Sequence, residues 1–258
     1  MMDMRTVVFI YALSNAICMV VIGLLWQHNR KRFAGLGFWL ADFFMQFAAV
    51  LLVALRGSVP DIASIVVSNT LVMAGTILLY MGLERFTGNR SSQAHNYILL
   101  AVFIGIHTYF TLIHPSLLIR TLNQSAGLIF ICSQCAWLML RRVGDRMRPI
   151  TRGVGYVFIA FCLIAFTRII IVLIFHPGDD FLSAGGFEIW FVLMYQMMFI
   201  ALTFGLFLMV NRCLFADLEA DILQRKQIEE ALRESEGKYR SLFENMLDGY
   251  AYCKSVLT

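Results

Sequence analysis

Val7–Trp26 reads VVFIYALSNAICMVVIGLLW, a stretch without one charged side chain. A helix rises 1.5 Å per residue, so about 20 apolar residues cross the hydrocarbon of a bilayer. This run is long enough to do so. Its apolar core is too long for a cleavable signal peptide, and no small-residue cleavage site precedes the basic stretch His28–Arg32. It is therefore expected to persist as a first spanning helix.

Outward from it, six more runs meet the same test: Leu36–Leu55, Ile62–Leu83, Tyr97–Ile113, Leu117–Leu140, Val154–Phe175 and Phe187–Val210. The expected fold is an all-α membrane protein, a bundle of seven transmembrane helices over residues 1–211. Composition agrees. Hydrophobic residues make up 59% of the chain and charged residues 15%, where a soluble domain carries about 25% charged residues. The surplus of apolar surface must face lipid, and the bilayer is the first expected partner. His114-Pro115 separates the fourth run from the fifth. Pro115 is expected to end the fourth helix or to open the fifth.

The basic residues set an expected orientation, because cytoplasmic loops are enriched in Lys and Arg. Arg30, Lys31 and Arg32 follow run one, Arg85 and Arg90 follow run three, and Arg141, Arg142, Arg146, Arg148 and Arg152 follow run five. The alternate loops hold few, with Arg5, Arg56 and Arg120 near helix ends. The topology is therefore N-out and C-in. The outer loops are short, and the longest, His176–Gly186, is acidic. An external signal would have to be read by the bundle or by these loops. A net charge of +4 is too small to point to nucleic acid.

Ionisable groups at membrane depth are costly and are functional candidates by default. Arg168 lies about seven residues from the outer end of the sixth run, with Glu188 at the outer start of the seventh as its expected partner. Tyr195 and Gln196 lie deeper on a similar face. Asn69, His107, Arg120 and Gln124 fall at a similar depth on runs three, four and five, together with Thr70 and Asn123. Two arginines in an outward-opening pocket would favour a carboxylate or another anionic head group. The alternative is that these groups form interhelical hydrogen bonds that hold the bundle together. Asp42, nearer the inner side, is expected to pair with a basic inner loop.

Other chemistries find less footing. Cys132 and Cys135 form a CxxC within an apolar helix, where packing explains two small residues on one face, and a redox or metal role is the alternative. His107, His114 and His176 share the outer side, but two of them precede prolines at helix ends. No metal site or cofactor is expected. The last run holds no lysine for a retinal Schiff base. No nucleophile and base can be assembled, so the chain itself is expected not to be an enzyme. A small multi-pass transporter or channel-like protein remains the alternative reading, although no internal repeat with broken helices is visible.

After the seventh run the pattern changes. Leu214, Leu218, Asp221, Arg225, Ile228, Leu232, Ser235, Tyr239, Leu242 and Met246 recur at gaps of four and three, a heptad seam interrupted by polar residues. Residues 212–236 are expected to form a coiled-coil linker helix in a homodimer. A surface helix lying at the membrane face is the alternative. Gly237 and the turn signal Asp248-Gly249 follow, and then YAYCKSVL, which predicts a strand.

EALRESEGKYRSLFENMLDGYAYCK (Glu230–Lys254) resembles the junction at which a coiled-coil linker enters a PAS domain in bacterial sensor proteins. The matching residues are Leu232, Glu234, Glu236, Tyr239, Arg240, Leu242, Phe243, Glu244, Asn245 and Asp248-Gly249. The membrane part resembles the seven-helix sensory input modules of bacterial histidine kinases and diguanylate cyclases. That likeness rests on the basic loop after run one, on ALRGSVPD (residues 54–61) and on GLERFTG (residues 82–88). The resemblance implies a bacterial inner-membrane receiver. It would detect an unknown small molecule or an intramembrane signal and relay it to a cytoplasmic output domain. Residues 237–258 would be only the start of a PAS domain, because such a domain needs on the order of 100 residues. A lone strand cannot bury a core.

Overall fold

The computed structural model describes residues 4–145, 147–175 and 186–256. Among them are seven helices: α1 (Met4–Asn29), α2 (Leu36–Ala54), α3 (Ser68–Phe86), α4 (Ala94–Leu112), α5 (Leu117–Trp137), α6 (Arg148–Phe175) and α7 (Gly186–Val256). A π-helical segment, Ile62–Val67, leads into α3, and another, Leu138–Arg142, continues α5. The chain divides into two units, Met1–Met209 and Val210–Thr258.

Each apolar run of the sequence has become a helix, because only a helix or a closed barrel satisfies the backbone within lipid. Six of the seven are long and apolar enough to cross a membrane by length and composition. The exception is α5, whose Arg120, Thr121, Gln124 and Ser125 make it more polar and point inward, all of them buried. Between α4 and α5, Pro115 belongs to neither helix. Ser116 caps α5, its Oγ accepting from the Ile119 amide at 3.4 Å.

The first unit carries apolar residues on its outside and polar ones within. Phe9, Phe44, Trp137, Leu163, Trp190 and Phe204 are all exposed, whereas Asn15, Asp42, Ser68, Asn96, Ser125 and Thr151 are buried. A bundle solvated by hydrocarbon has this distribution, because its helices gain nothing by hiding leucine from lipid. They adhere through close packing and hydrogen bonds instead. Many of the polar side chains donate to the carbonyl one turn back, as Thr76 does to Val72 at 2.8 Å and Thr111 to His107 at 2.6 Å.

Helices α2 and α3 pack most intimately. Gly75 and Gly82, seven residues apart, share one face of α3 against α2. A Cβ on Gly82 would lie 2.5 Å from Trp39 Cδ1 and 2.9 Å from the Gly35 carbonyl oxygen. Gly35 itself opens α2 with φ +94, a left-handed conformation that suits glycine. Gly82→Ala should therefore cost about 1–3 kcal/mol by overpacking, read as a lower thermal midpoint in detergent. Gly105→Ala, with open space around it, should cause no loss and should gain up to about 0.5–1 kcal/mol from helix propensity.

The basic loops after α1, α3 and α5 gather at one end of this unit. Phe33 meets Phe86 at 5.4 Å between ring centroids, the Arg85 guanidinium stacks 4.0 Å from the Phe38 centroid, and Arg142 lies 3.7 Å from Glu84. The alternation of charge along the chain is thus a real separation between the two ends of the bundle.

The second unit consists of the later residues of α7. From Asp217 to Glu234 every residue is exposed. Here the structure corrects two expectations. Asp248-Gly249 makes no turn but lies within the helix, and YAYCKSVL is helical through Val256 rather than a strand. No neighbouring strand stands among the described residues to pair with one, and a helix satisfies its backbone without a partner.

Candidate functional site inside the bundle

At the end opposite the basic loops, polar side chains from five segments converge. Arg56 follows α2 in a tight turn with Gly57 at φ +91. The π-helical segment brings Ser64 and Ile65 inward, and its widened turn is stitched by Ser68 Oγ donating to the Ser64 carbonyl (2.7 Å) and Asn69 Nδ2 to that of Ile65 (2.7 Å). Single π turns of this kind recur at functional sites. Helix α4 adds His107, α5 adds Arg120, Thr121 and Gln124, and α6 adds Arg168. They enclose a cavity of about 110 Å³.

Val53, Asn69, Gln124 and Arg168 also line a second cavity of about 210 Å³. This larger space runs toward the middle of the bundle. Its wall is mostly apolar, with Val8, Val50, Leu128, Phe158, Phe161 and Phe199. Besides Asn69, Gln124 and Arg168, the polar exceptions are Ser68, Tyr195, Tyr11, Asp42, Gln46 and Thr76.

Arg168 is the hinge of the arrangement. Its Nη2 donates to Glu188 Oε2 at 2.7 Å, with 12% of the arginine and 4% of the glutamate side chain exposed. Its guanidinium carbon stands 5.9 Å from the Phe191 ring centroid. A buried pair of opposite charges at this distance is a charge-assisted hydrogen bond, and it joins α6 to the first turn of α7.

His107 is oriented from both sides. Its ring stacks on Phe103 at 5.0 Å. Asn123 Nδ2 donates to the Phe103 carbonyl at 3.1 Å and approaches His107 Nδ1 at 3.4 Å. That amide nitrogen is a donor, so Nδ1 accepts and the imidazole carries its proton on Nε2. Four of the buried polar atoms without a hydrogen-bond partner belong to residues that line this cavity: His107 Nε2, Gln124 Oε1, Arg168 Nε and Ser64 Oγ. Such atoms are rare in a finished interior.

Of the residues singled out in the sequence, Asn69, His107, Arg120, Gln124 and Arg168 line the smaller cavity, and Tyr195 lines the larger. Glu188 meets Arg168 but lines neither. Gln196 turns away, its Nε2 donating to Ser14 Oγ of α1 at 2.8 Å. Asp42 does not reach a basic loop. Gln46 Nε2 donates to its Oδ1 at 3.0 Å, and both face the larger cavity. The signal for this pair was present, since residues four apart in an apolar run share a face. Among the described residues no three His, Cys, Asp or Glu side chains converge as a metal site would require. His114 sits against Tyr109 instead, and His176 lies outside the described residues. Cys132 and Cys135 are free and buried.

A second polar knot occupies the basic end and was not expected from the sequence. Buried Glu84 of α3 accepts from Tyr80 (3.0 Å), from Ser91 and from Gln93 (2.6 Å). Asn96 donates to Gln93 Oε1 at 2.8 Å, and Gln134 of α5 to Asn96 Oδ1 at 2.9 Å. This chain of bonds ties α3, α4 and α5 together. Compared with known proteins, the chain matches no family model, no curated protein and no solved structure.

Proposed function

We propose that the chain is a receiver in the bacterial inner membrane. It takes a ligand into the cavities between α2 and α7 and passes the change along α7 to a cytoplasmic partner. The supporting observation is α7 itself. One helix, Gly186–Val256, supplies Glu188 to the ion pair and Tyr195, Phe199 and Leu202 to the cavity wall, and then continues into the charged second unit. A ligand that alters the Arg168–Glu188 contact acts directly on that helix.

The orientation in this reading is N-out and C-in, carried by the three basic loops at one end of the bundle. An epitope fused after Thr258 should be protected from protease in intact cells, and an accessible epitope would end the receiver reading.

The relay is proposed to work in a homodimer. Leu218, Ile228, Leu232, Tyr239, Leu242 and Met246 are all more than half exposed and follow the heptad seam. Single cysteines introduced along residues 225–242 and treated with a short bis-maleimide should crosslink in membranes with a period of 3.5. Ile228→Cys, Leu232→Cys and Tyr239→Cys should be efficient, and Glu229→Cys and Arg233→Cys poor. A flat profile would refute the paired helix. The resemblance of residues 230–254 to a linker–PAS junction supplies the proposed destination of the signal.

A further inference from the structure

We infer that the larger cavity binds a small primary ammonium with an aromatic body, in its simplest form benzylamine, and that Asp42 holds the ammonium. This deepens the receiver reading and rests on that reading's ligand site.

Asp42 supplies the charge. It is 1% exposed, next to Phe43, whose ring stands 4.6 Å from that of Phe199 on α7. Its Oδ1 takes a bond from Gln46 Nε2 at 3.0 Å and lies 2.6 Å from where a Cβ on Gly75 would stand. Among the described residues it has no second hydrogen-bond partner and no ion pair with Lys, Arg or His. Its Oδ2 is left to the cavity it lines. A carboxyl group at membrane depth is costly without a partner. The arginines are engaged elsewhere, Arg168 with Glu188 and Arg120 with the Ser116 carbonyl among other contacts.

The groups around Asp42 ask for a donor. Both hydrogens of the Gln46 amide are spent, on Asp42 Oδ1 and on the Val72 carbonyl at 3.3 Å. Thr76 donates to the same carbonyl at 2.8 Å, and Ser68 to that of Ser64 at 2.7 Å. These side chains line the larger cavity and not the smaller, and what they have left to offer is lone pairs. The hydroxyls of Tyr11 and Tyr195, on the same wall, accept as readily as they donate. Arg168 and Gln124 line both cavities and so stand at the side of the larger one that borders the smaller. A primary ammonium carries three N–H donors and no acceptor.

Volume and lining define the body. An apolar cavity of about 150 Å³ takes a benzene ring. About 210 Å³ takes a ring with roughly two further atoms and no second ring. Phe158 and Phe161 of α6 and Tyr195 and Phe199, one turn apart on α7, line this space. Aromatic side chains pack well on another ring, and their faces attract an ammonium.

The test is binding of radiolabelled benzylamine to the full chain in nanodiscs of phosphatidylcholine, which carries no net charge, against discs without protein. Saturable, protein-dependent binding is expected. Benzyl alcohol, of the same size without the charge, should compete at least about tenfold more weakly, and benzoate more weakly still. Methylamine should lose about tenfold or more with the ring, and naphthylmethylamine about tenfold or more because the space runs out. Asp42→Asn should weaken benzylamine by about tenfold or more and leave benzyl alcohol within about threefold.

The competition series uses the unaltered protein, so a variant that fails to fold leaves the proposal exposed. Binding no greater than in empty discs overturns it, as does benzyl alcohol or benzoate matching benzylamine, or benzylamine binding unchanged in Asp42→Asn. Naphthylmethylamine matching benzylamine overturns the assignment to this cavity. If benzylamine binds but leaves crosslinking at Leu232→Cys unchanged, the receiver reading fails while the ligand class stands.

Discussion

Glu188→Leu should unfold the bundle more readily than any other single change in the site, and Arg168→Met added to it should recover most of the loss. The pair is nearly dry, with 12% and 4% of the two side chains exposed. Removing one partner strands a buried charge, which costs about 3–5 kcal/mol. Replacing both with apolar groups of similar volume removes the desolvation penalty along with the attraction, and such exchanges are often neutral or stabilising. The measurement is thermal unfolding in detergent, followed by a thiol-reactive dye that reaches the buried Cys132 and Cys135 only when the bundle opens. Equal loss in the single and double variants would mean that the two groups do not act as a pair. Arg168→Ala alone is consequently a poor test of ligand binding, since a lost response would report an unfolded bundle as readily as an empty site.

Glu84→Leu should come second and act at the opposite end. Its carboxylate takes bonds from Tyr80, Ser91 and Gln93. Stranding buried donors costs about 1–3 kcal/mol each when no water reaches them. Arg142, nearly half exposed and 3.7 Å away, contributes little because solvent screens it. We expect a loss of about 3 kcal/mol in total. Hydrogen exchange should rise in residues 84–96, where α3, the following loop and α4 lose their common anchor. Glu84→Gln keeps the shape but presents a donor where two oxygens accept, and should fall between wild type and Glu84→Leu. Unchanged exchange in Glu84→Leu would show that the knot is ornamental to the fold.

Several parts of the site were legible beforehand. Arg168 and Glu188 announce themselves because an apolar run tolerates few charges and each needs an opposite at matched depth. The depths of Asn69, His107, Arg120 and Gln124 follow from counting 1.5 Å steps from a helix end. Counting gives depth but leaves rotation about the helix axis open. Gln196 has the right depth and turns to Ser14, 182 residues earlier in the chain. Asp42 has its partner one turn away and faces a cavity that exists only because α6 and α7 close it. The network around Glu84 uses loop residues Ser91 and Gln93, whose positions no periodicity encodes.

The tail shows the same boundary from another side. Aromatic and β-branched residues after Asp248-Gly249 favour a strand locally, but a strand is stable only beside another strand. Helix formation asks nothing of neighbours, and residues 250–256 are helical.

What the amino-acid order determined by itself is the set of seven helices, the ends of the first five to within a few residues, and the gathering of the basic loops. Each is a matter of run length and local charge, which neighbouring residues decide among themselves. Tertiary structure alone decided which polar groups share a cavity, which are satisfied, and which remain without partners. Those outcomes depend on how helices far apart in sequence rotate and close against one another.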